Sequence, residues 1–320
     1  MSDPSFDVTT LGEMLVRFSV PSGKRLENAS QLDVYPAGAE ANVVTLLARL
    51  ERQTCWIGAL PDNPLGRLAV NALRAAGVDT RGVINKDHGR MGTYYVEFGE
   101  PPRGIQVTFD RAHSCAMELQ TNEVDWDLLL DTRLLHLTGI TAALSPSCLE
   151  ILTQAIQRAK ECNIAVSFDI NYRQKLWSES DAAQTLLPLI QGVEILFCSQ
   201  ADAKRLFHCA GSIQEVAQGM LELSKAKYVV ISFADQGALL WDGMEWKQEP
   251  ARPTRIIDRL GAGDALAAGV IHGWLNDDLS AGLRYGVTLA ALALSQAGDM
   301  VITNKSELLA LDRGGSALTR

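Results

Sequence analysis

Residues 256–264 of this 320-residue chain read Ile-Ile-Asp-Arg-Leu-Gly-Ala-Gly-Asp, a glycine-rich turn followed by the apolar, helix-like segment Ala265–Leu275. The start of a helix presents unpaired backbone N–H groups and the positive end of the helix dipole, and it therefore binds anions, phosphate in particular. Asp264 falls in the first turn of that helix, where its carboxylate is placed to accept a proton from an attacking hydroxyl group. The stretch predicts a phosphoryl-transfer site.

Two better-known phosphate loops are excluded by what surrounds this turn. No Gly-Lys-Ser/Thr follows it, so it is not a Walker loop. It lies near the C-terminus and after all of the predicted strands, so it is not the early fingerprint of a dinucleotide-binding dehydrogenase. An aspartate in a first helical turn also serves as an ordinary cap, and that structural role is the alternative for Asp264.

The composition narrows the class of protein. The net charge is −9, which disfavours nucleic acid as a partner, because phosphate backbones need basic patches. Neither a signal peptide nor an apolar run of ~18 residues is visible, so we expect a cytoplasmic protein without membrane contact. The six cysteines form no Cys-x-x-Cys pair, which predicts free thiols and no zinc site. Residues 313–320 are expected to form a frayed tail.

Apolar runs of strand length alternate with helical patterns along most of the chain. The predicted strands are Phe6–Leu11, Thr54–Ile57, Leu134–Thr138, Ala165–Asp169, Glu194–Ser199, Tyr228–Phe233 and Ala238–Trp241. This alternation predicts one α/β domain over residues 1–320, with a mostly parallel central sheet between two layers of helices. Ligands of such sheets bind at the carboxyl ends of the strands.

Two segments, residues 12–36 and 91–112, lack helical periodicity and carry alternating strand-type residues. We interpret them as strands of a small separate sheet. Such a sheet would act as a lid over a cleft; the alternative is a pair of surface hairpins.

Four further residues are candidates for substrate binding. Arg173 follows the Ala165–Asp169 strand, where a guanidinium can hold a carboxylate in a two-bond fork; pairing with Asp169 is the alternative. Gly38 and Asn42 form a second glycine turn entering a helix, and Asn42 either bonds a sugar hydroxyl or caps the turn. Arg111 is an anion-binding candidate whose alternative is an exposed surface arginine.

Together these motifs resemble the ribokinase-like (PfkB-type) carbohydrate kinases. That family has a glycine turn ending in an asparagine near the start and Asp-x-x-Gly-Ala-Gly-Asp near the end. Gly38–Asn42 and Asp258–Asp264 match these two stretches in order, and the resemblance covers residues 6–310. It implies a three-layer α/β/α ribokinase-like fold with a small β-sheet lid.

Within the family, the sequence is most similar to the 2-keto-3-deoxygluconate kinases. That resemblance implies sugar-acid contacts from Tyr94, Arg111, Arg173 and the backbone of Ile140, with Phe109 in a place where a sugar-contacting tyrosine is expected. The implied reaction is ATP-dependent phosphorylation of the terminal hydroxyl of a sugar acid. A fructokinase or ribokinase-type activity is the alternative, because fructokinases carry a related Asn-x-Arg element.

The resemblance also assigns the catalytic parts. Asp264 would accept the substrate proton, and the N–H groups of Gly261, Ala262 and Gly263 would form an anion hole. ATP and Mg²⁺ are the implied cofactors, with a monovalent cation beside Asp258 left open. As in many relatives, a homodimer through the lid sheet is expected, with a higher homo-oligomer as the alternative.

Departures from the family pattern cluster on the nucleotide side. The usual Asn-x-x-Glu is replaced by residues 199–202, Ser-Gln-Ala-Asp, in which Ser199 and Asp202 would order metal-bound water less surely. The nucleotide loop, Ser232 to Gly237, has an alanine for its first glycine and no lysine. Arg259 replaces the common threonine or proline. A non-catalytic sugar-acid-binding protein is therefore a second alternative, although the retained Asp264 favours an active enzyme.

Overall fold

The computed structural model describes residues 3–99 and 102–314, so most of the predicted frayed tail, residues 315–320, lies outside the described residues. The strands are β1 (Phe6–Leu11), β2 (Leu15–Ser19), β3 (Asp33–Ala37), β4 (Thr54–Pro61), β5 (Val83–Lys86), β6 (Gly92–Glu97), β7 (Gln106–Asp110), β8 (Thr132–Thr138), β9 (Ala165–Asp169), β10 (Ile195–Ser199), β11 (Tyr228–Ser232), β12 (Ala238–Trp241) and β13 (Trp246–Glu249).

Nine of these strands form the central sheet, in the order β13-β12-β11-β10-β9-β8-β1-β4-β5. The seven strands from β11 to β5 run parallel, while β12 and β13 are added antiparallel at one edge. The expected mostly parallel sheet is confirmed. The two edge strands, β5 and β13, were not predicted from the sequence. Both are short and partly exposed, and an edge strand does not need the continuous apolar run by which buried strands are recognised.

Helices cover both faces of this sheet. They are α1 (Ala39–Arg49), α2 (Pro64–Ala76), α3 (Trp126–Leu130), α4 (Gly139–Ala142), α5 (Pro146–Glu161), α6 (Glu179–Leu189), α7 (Gln200–Phe207), α8 (Ile213–Ser224), α9 (Ala262–Trp274), α10 (Leu279–Leu294) and α11 (Lys305–Asp312). Leu196 of β10 packs into the core beneath α5–α8, while its neighbours Ile195 and Phe197 pack into the core beneath α1, α2, α9 and α10. Alternate residues thus bury both faces of the sheet, which confirms the three layers.

The remaining four strands form a small sheet in the order β3-β2-β6-β7. It is built from the two segments that the sequence singled out. One of its faces carries Leu15, Tyr94 and Val96, which pack together with Leu260 of the glycine-rich turn. The small sheet therefore lies directly over that turn.

The carboxyl ends of the central strands meet at the edge of the sheet that faces this turn. Strands β9, β10 and β11 end at Asp169, Ser199 and Ser232, and these three residues line one cavity together with the turn. Helix α9 is held close to α10 by facing glycines, since a Cβ at Gly269 would lie 2.2 Å from the backbone nitrogen of Gly286. In the part of the chain that the structure describes, no helix is long and apolar enough to span a membrane.

Candidate active site

The glycine-rich turn has the geometry that its sequence predicts. Gly261 caps α9 with φ of +82°, a left-handed conformation that favours glycine. A Cβ there would also lie 2.3 Å from the carbonyl oxygen of Asp299. The helix begins at Ala262, so Gly263 and Asp264 both fall in its first turn. Backbone N–H groups and the positive helix end therefore converge beside the Asp264 carboxylate.

Asp264 is held by Asn42, which lies in the first turn of α1. Asn42 Nδ2 donates to Asp264 Oδ2 at 2.6 Å, so its amide contacts the carboxylate directly. Burial raises the pKa of Asp264 to about 8, against the lowering effect of this hydrogen bond. Asn42 Oδ1 is buried and has no hydrogen-bond partner among the described residues. It is an acceptor left available for a ligand hydroxyl group.

A small polar cavity of about 260 Å³ opens in front of Asp264. Its walls bring together most of the predicted catalytic and phosphate-side residues. They include Asp169, Asn171, Arg173, Ser199, Asp202, Ser232, Arg259, Gly261, Ala262, Gly263 and Asp264. We call it the acceptor cavity.

The acceptor cavity contains carboxylates suited to a hard cation. Burial raises the pKa of Asp169 to about 6 and also raises the pKa of Asp202. Ser199 caps α7 by accepting the backbone N–H of Asp202 at 3.0 Å, and Asp202 lies in the first turn of that helix. Within residues 3–99 and 102–314, no three metal-ligating side chains cluster. Carboxylates that meet a cation together with substrate phosphates and water suit Mg²⁺, which seldom has an all-protein cage.

A second cavity of about 840 Å³ adjoins the first. Its lining is largely apolar, and Pro253, Val287, Leu294 and Gly237 are among its walls. The two cavities share Ser232, Arg259, Ala262, Gly263 and Leu266. We call the second one the donor cavity, because a long ligand spanning both would place its middle at the start of α9.

Arg173 is exposed at the wall of the acceptor cavity. Its Nη1 donates to the carbonyl of Tyr172 at 3.2 Å, and no carboxylate of the described chain lies within ion-pair distance. The alternative in which Arg173 pairs with Asp169 is not observed. Asp169 instead accepts from the backbone and side-chain nitrogens of Asn171, both at 3.2 Å.

Arg111 has a different environment. Its side chain is buried and forms an ion pair with Glu13, whose other carboxylate oxygen accepts from Ser114 at 2.5 Å. The surface-arginine alternative is therefore wrong. Arg111 Nε is buried without a partner among the described residues, so this side chain retains one donor.

Tyr94 and Phe109 pack against each other on neighbouring strands of the small sheet, with ring centroids 5.3 Å apart. The Tyr94 hydroxyl donates to Asp299 Oδ2 at 2.6 Å. Burial raises the pKa of Tyr94, with the Asp299 charge as the next cause. Tyr94 thus connects the small sheet to the segment beside Gly261.

Gly38 and Ile140 lie close in the chain to groups around Glu40, a buried acid for which the sequence predicted no role. Gly38 caps α1, Ile140 is half-buried in α4, and Glu40 lies at the start of α1. Glu40 Oε1 accepts from Thr138 at 2.7 Å and Thr141 at 2.5 Å. Burial raises the pKa of Glu40 to about 7.

Asp258 lies beneath the turn and not at the wall of either cavity. It is buried and forms an ion pair with Arg17 of β2 at 2.6 Å. Arg17, Glu13 and Asp299 carry no local motif, and only their long-range partners mark them as part of this site. Glu40 lies within the Gly38–Asn42 motif, but no role was predicted for it. Arg259 could be noticed from the sequence, because it replaces the threonine or proline that the family usually has there. In the structure it lines both cavities.

The arrangement supports in-line phosphoryl transfer. A carboxylate base, a helix N-terminus and a guanidinium surround the point at which a small polar cavity meets a larger apolar one. These are the parts that such a reaction requires, namely a proton acceptor, charge stabilisation and a positioned acceptor. The fold and the site define a phosphotransferase.

Comparison with known proteins identifies the family. Residues 5–305 match the pfkB family carbohydrate kinases, and the chain belongs to that family. It is 33% identical over 312 residues to the 2-dehydro-3-deoxygalactonokinase of Haloferax volcanii, covering 97% of this chain and 98% of that one. It is 30% identical over 301 residues to the 2-dehydro-3-deoxygluconokinase of Bacillus subtilis, covering 92% and 91%. The crystal structure of the 2-dehydro-3-deoxygluconokinase of Thermotoga maritima superimposes with a TM-score of 0.92, at 28% identity, covering 98% of this chain and 100% of that one.

Proposed function

We propose that this kinase transfers the terminal phosphoryl group of ATP to the terminal hydroxyl of a sugar acid, with 2-keto-3-deoxygluconate (2-dehydro-3-deoxygluconate) as the substrate. The observation that carries this proposal is the unpaired Arg173 guanidinium at the wall of the cavity that contains Asp264. A neutral sugar offers no partner for that charge, whereas a carboxylate bonds it in a fork. The names of the relatives also favour a sugar acid.

The geometry suggests which residues act in each step of phosphoryl transfer. The acceptor hydroxyl lies against Asp264, which takes its proton while the oxygen attacks the terminal phosphorus. The bond from that phosphorus to the bridging oxygen breaks, and the nucleoside diphosphate leaves with the electron pair. The N–H groups of Gly261, Ala262 and Gly263 stabilise charge on the transferring group.

Substrate contacts come from several elements. Arg173 binds the carboxylate, Asn42 Oδ1 accepts a hydrogen bond from one hydroxyl group, and the backbone of Ile140 bonds another. Arg111, Tyr94 and Phe109 shape the small-sheet side of the pocket. In this proposal Arg111 reaches the substrate through its free Nε, because its Nη2 faces Glu13.

The donor cavity would take the nucleotide. Its apolar lining suits a base and ribose, and Ser232, Gly237 and Arg259 lie along the path toward the acceptor cavity. Arg259 supplies a positive charge where the nucleotide loop has no lysine. Asp258 would not contact the nucleotide; it lies beneath the glycine-rich turn and holds the backbone of that turn.

Mg²⁺ bound with the nucleotide would neutralise charge on its phosphates. Asp169 and Asp202 are the residues that would hold it, Asp202 through water, since both line the acceptor cavity. We do not extend the proposal to a monovalent metal ion beside Asp258, because the Arg17 guanidinium lies against that carboxylate.

We further propose that residues 1–320 form one kinase domain in which the small sheet is a lid that excludes water, and that two lids pair in a homodimer. Val34, Phe18 and Tyr95 are register neighbours across the outer face of the small sheet, and Val34 is 44% exposed. Phe18 already packs partly against the core beneath α1 and α2, so a second subunit would cover the Val34 end of this row. A cytoplasmic location agrees with the unpaired cysteines of the described chain.

An assay of ADP release over a panel of acceptors tests the substrate. The panel contains 2-keto-3-deoxygluconate, its 2-keto-3-deoxygalactonate epimer, 5-keto-2-deoxygluconate, fructose and ribose. We expect the highest kcat/KM on 2-keto-3-deoxygluconate. A preference for fructose or ribose over every acid would contradict the sugar-acid proposal, and sugar-acid binding without turnover would point to the non-catalytic alternative.

A further inference from the structure

Arg17 is the most completely buried charged side chain near the active site, with no exposed surface. It lies on β2 of the small sheet and reaches two carboxylates at once. Its Nη2 lies 2.6 Å from Asp258 Oδ2, and its Nη1 donates to Asp299 Oδ1 at 2.8 Å. Its Nε donates to Ser19 at 2.7 Å. Every nitrogen of the guanidinium therefore has an oxygen neighbour.

The two acids that Arg17 joins hold the backbone of the catalytic turn. Asp258 accepts the Leu260 N–H at 3.1 Å and the Gly298 N–H at 3.2 Å. The Asp299 carbonyl packs against Gly261, where a Cβ would lie at 2.3 Å. One guanidinium thus links the segment before Gly261 to the segment packed beside it, although Arg17 and Asp299 are 282 residues apart.

The charges explain why a cation is needed at this point. Two buried carboxylates close together repel each other, and each loses hydration. Burial raises the pKa of Asp299, while the Arg17 charge and the Tyr94 hydrogen bond oppose that rise. The rings of Tyr35 and Phe98 lie with their centroids 5.3 Å from the guanidinium carbon, which closes the remaining sides of a pocket suited to a planar cation.

We propose that Arg17 is a positioning residue that acts as the resident cation of the catalytic turn, so that this kinase needs no monovalent metal ion there. The guanidinium holds Asp258 and Asp299 at the spacing that keeps Gly261 and the N–H groups after it aimed at the transferring phosphoryl group. Because it belongs to the small sheet, it also ties that sheet to the turn. The inference rests on the kinase activity and not on the identity of the acceptor.

The first test uses the wild-type enzyme. Its turnover is measured in tetramethylammonium salts and then with added K⁺, NH₄⁺ or Na⁺, on whichever acceptor it phosphorylates fastest. We expect a flat response. Saturable activation by K⁺ or NH₄⁺ would overturn the proposal, and because the best acceptor is used, an error in the proposed substrate leaves the result interpretable.

The second test removes the guanidinium. Arg17→Ala is expected to lose about 10²-fold in kcat, the scale of a small misplacement of reacting groups, with a smaller change in either KM. Added methylguanidinium, K⁺ or NH₄⁺ should restore part of kcat and raise the melting temperature of this variant, while leaving the wild type unchanged. A purely structural arginine would give no such cation-specific rescue of turnover.

Arg25→Ala is the matched control, since Arg25 also pairs with a carboxylate of the small sheet, Glu97 at 2.6 Å, but does not reach the turn. It should keep the wild-type kcat and show no cation response. If Arg17→Ala does not fold, Arg17→Lys is measured instead, because an ammonium keeps the charge but cannot bridge both acids. A wild-type kcat in either Arg17 variant would overturn the proposal.

Discussion

Asn42 Nδ2 lies 2.6 Å from Asp264 Oδ2, so two residues that are 222 positions apart form one hydrogen bond at the starts of α1 and α9. Both helices enter from glycine turns, at Gly38 and Gly261. The bond lowers the pKa of Asp264 while burial raises it. The balance leaves a carboxyl group with a pKa of about 8, a value suited to a proton acceptor near neutral pH.

Replacing Asp264 tests its role as the base. Asp264→Asn should retain substrate binding and lose at least ~10²-fold in kcat, the usual scale for a lost general base. The measurement is steady-state kinetics together with equilibrium binding of the acceptor. Unchanged turnover would remove Asp264 from this role.

The melting temperature of Asp264→Asn serves as a control for its stability. The folded-state pKa of Asp264 is raised from 3.8 to about 8, so folding stability falls as pH rises through that range and the group ionises. An amide does not ionise, and Asp264→Asn should therefore melt at the same or a higher temperature than wild type at pH 8. A large drop in melting temperature would show that its activity loss comes from misfolding.

The pH dependence tests the Asn42 contact. The base must be deprotonated, so kcat/KM should rise with pH through an apparent pKa of about 8. Asn42→Ala removes a hydrogen bond that favours the charged carboxylate, and the rise should move to higher pH. If the rise in kcat/KM occurs at the same pH in this variant as in wild type, a group other than Asp264 sets the pH dependence.

The two glycines of the turn should respond differently to the same change. Gly261→Ala forces a Cβ to 2.3 Å from the Asp299 carbonyl at a positive φ, which should cost roughly 1–3 kcal/mol of stability along with activity. Gly263→Ala meets no atom within 4 Å, so its melting temperature should not fall.

Gly263 lines both cavities, however, and a methyl group there would crowd the phosphate path. Gly263→Ala should therefore lower kcat in a protein that is as stable as wild type. Thermal melts and kinetics on the two variants check this separation of stability from activity. Equal destabilisation of both would contradict the geometry of the turn.

Arg173 should discriminate between acids and neutral sugars. Arg173→Ala should weaken binding of the sugar acid by roughly 1.5–3 kcal/mol, the value of a hydrogen bond to a charged group, and barely affect a neutral acceptor. The measurement is KM for both classes of acceptor. Arg205→Ala is the control, because Arg205 lies nearby but faces Glu179 at 3.4 Å. Equal losses on acids and neutral sugars would rule out carboxylate binding by Arg173.

Local sequence was sufficient for most of the fold. Strands β1, β9 and β12 were predicted with their observed ends. Buried parallel strands are nearly continuous apolar runs, and α2 carries an asparagine cap, a proline at its first turn and Gly77 after its last residue. Edge strands β5 and β13 lack such signals and were missed.

The sequence by itself determined the layered sheet, the anion-binding turn and the placement of Asp264 in a first helical turn, because each depends on neighbours in the chain. Only the tertiary structure decided which side chains are free and which are paired. Arg111 meets Glu13 from 98 positions away, Arg17 meets Asp299 from 282 positions away, and Arg173 is left unpaired at the wall of the acceptor cavity. Such pairings depend on distances set by packing between elements, and no local pattern of residue types encodes them.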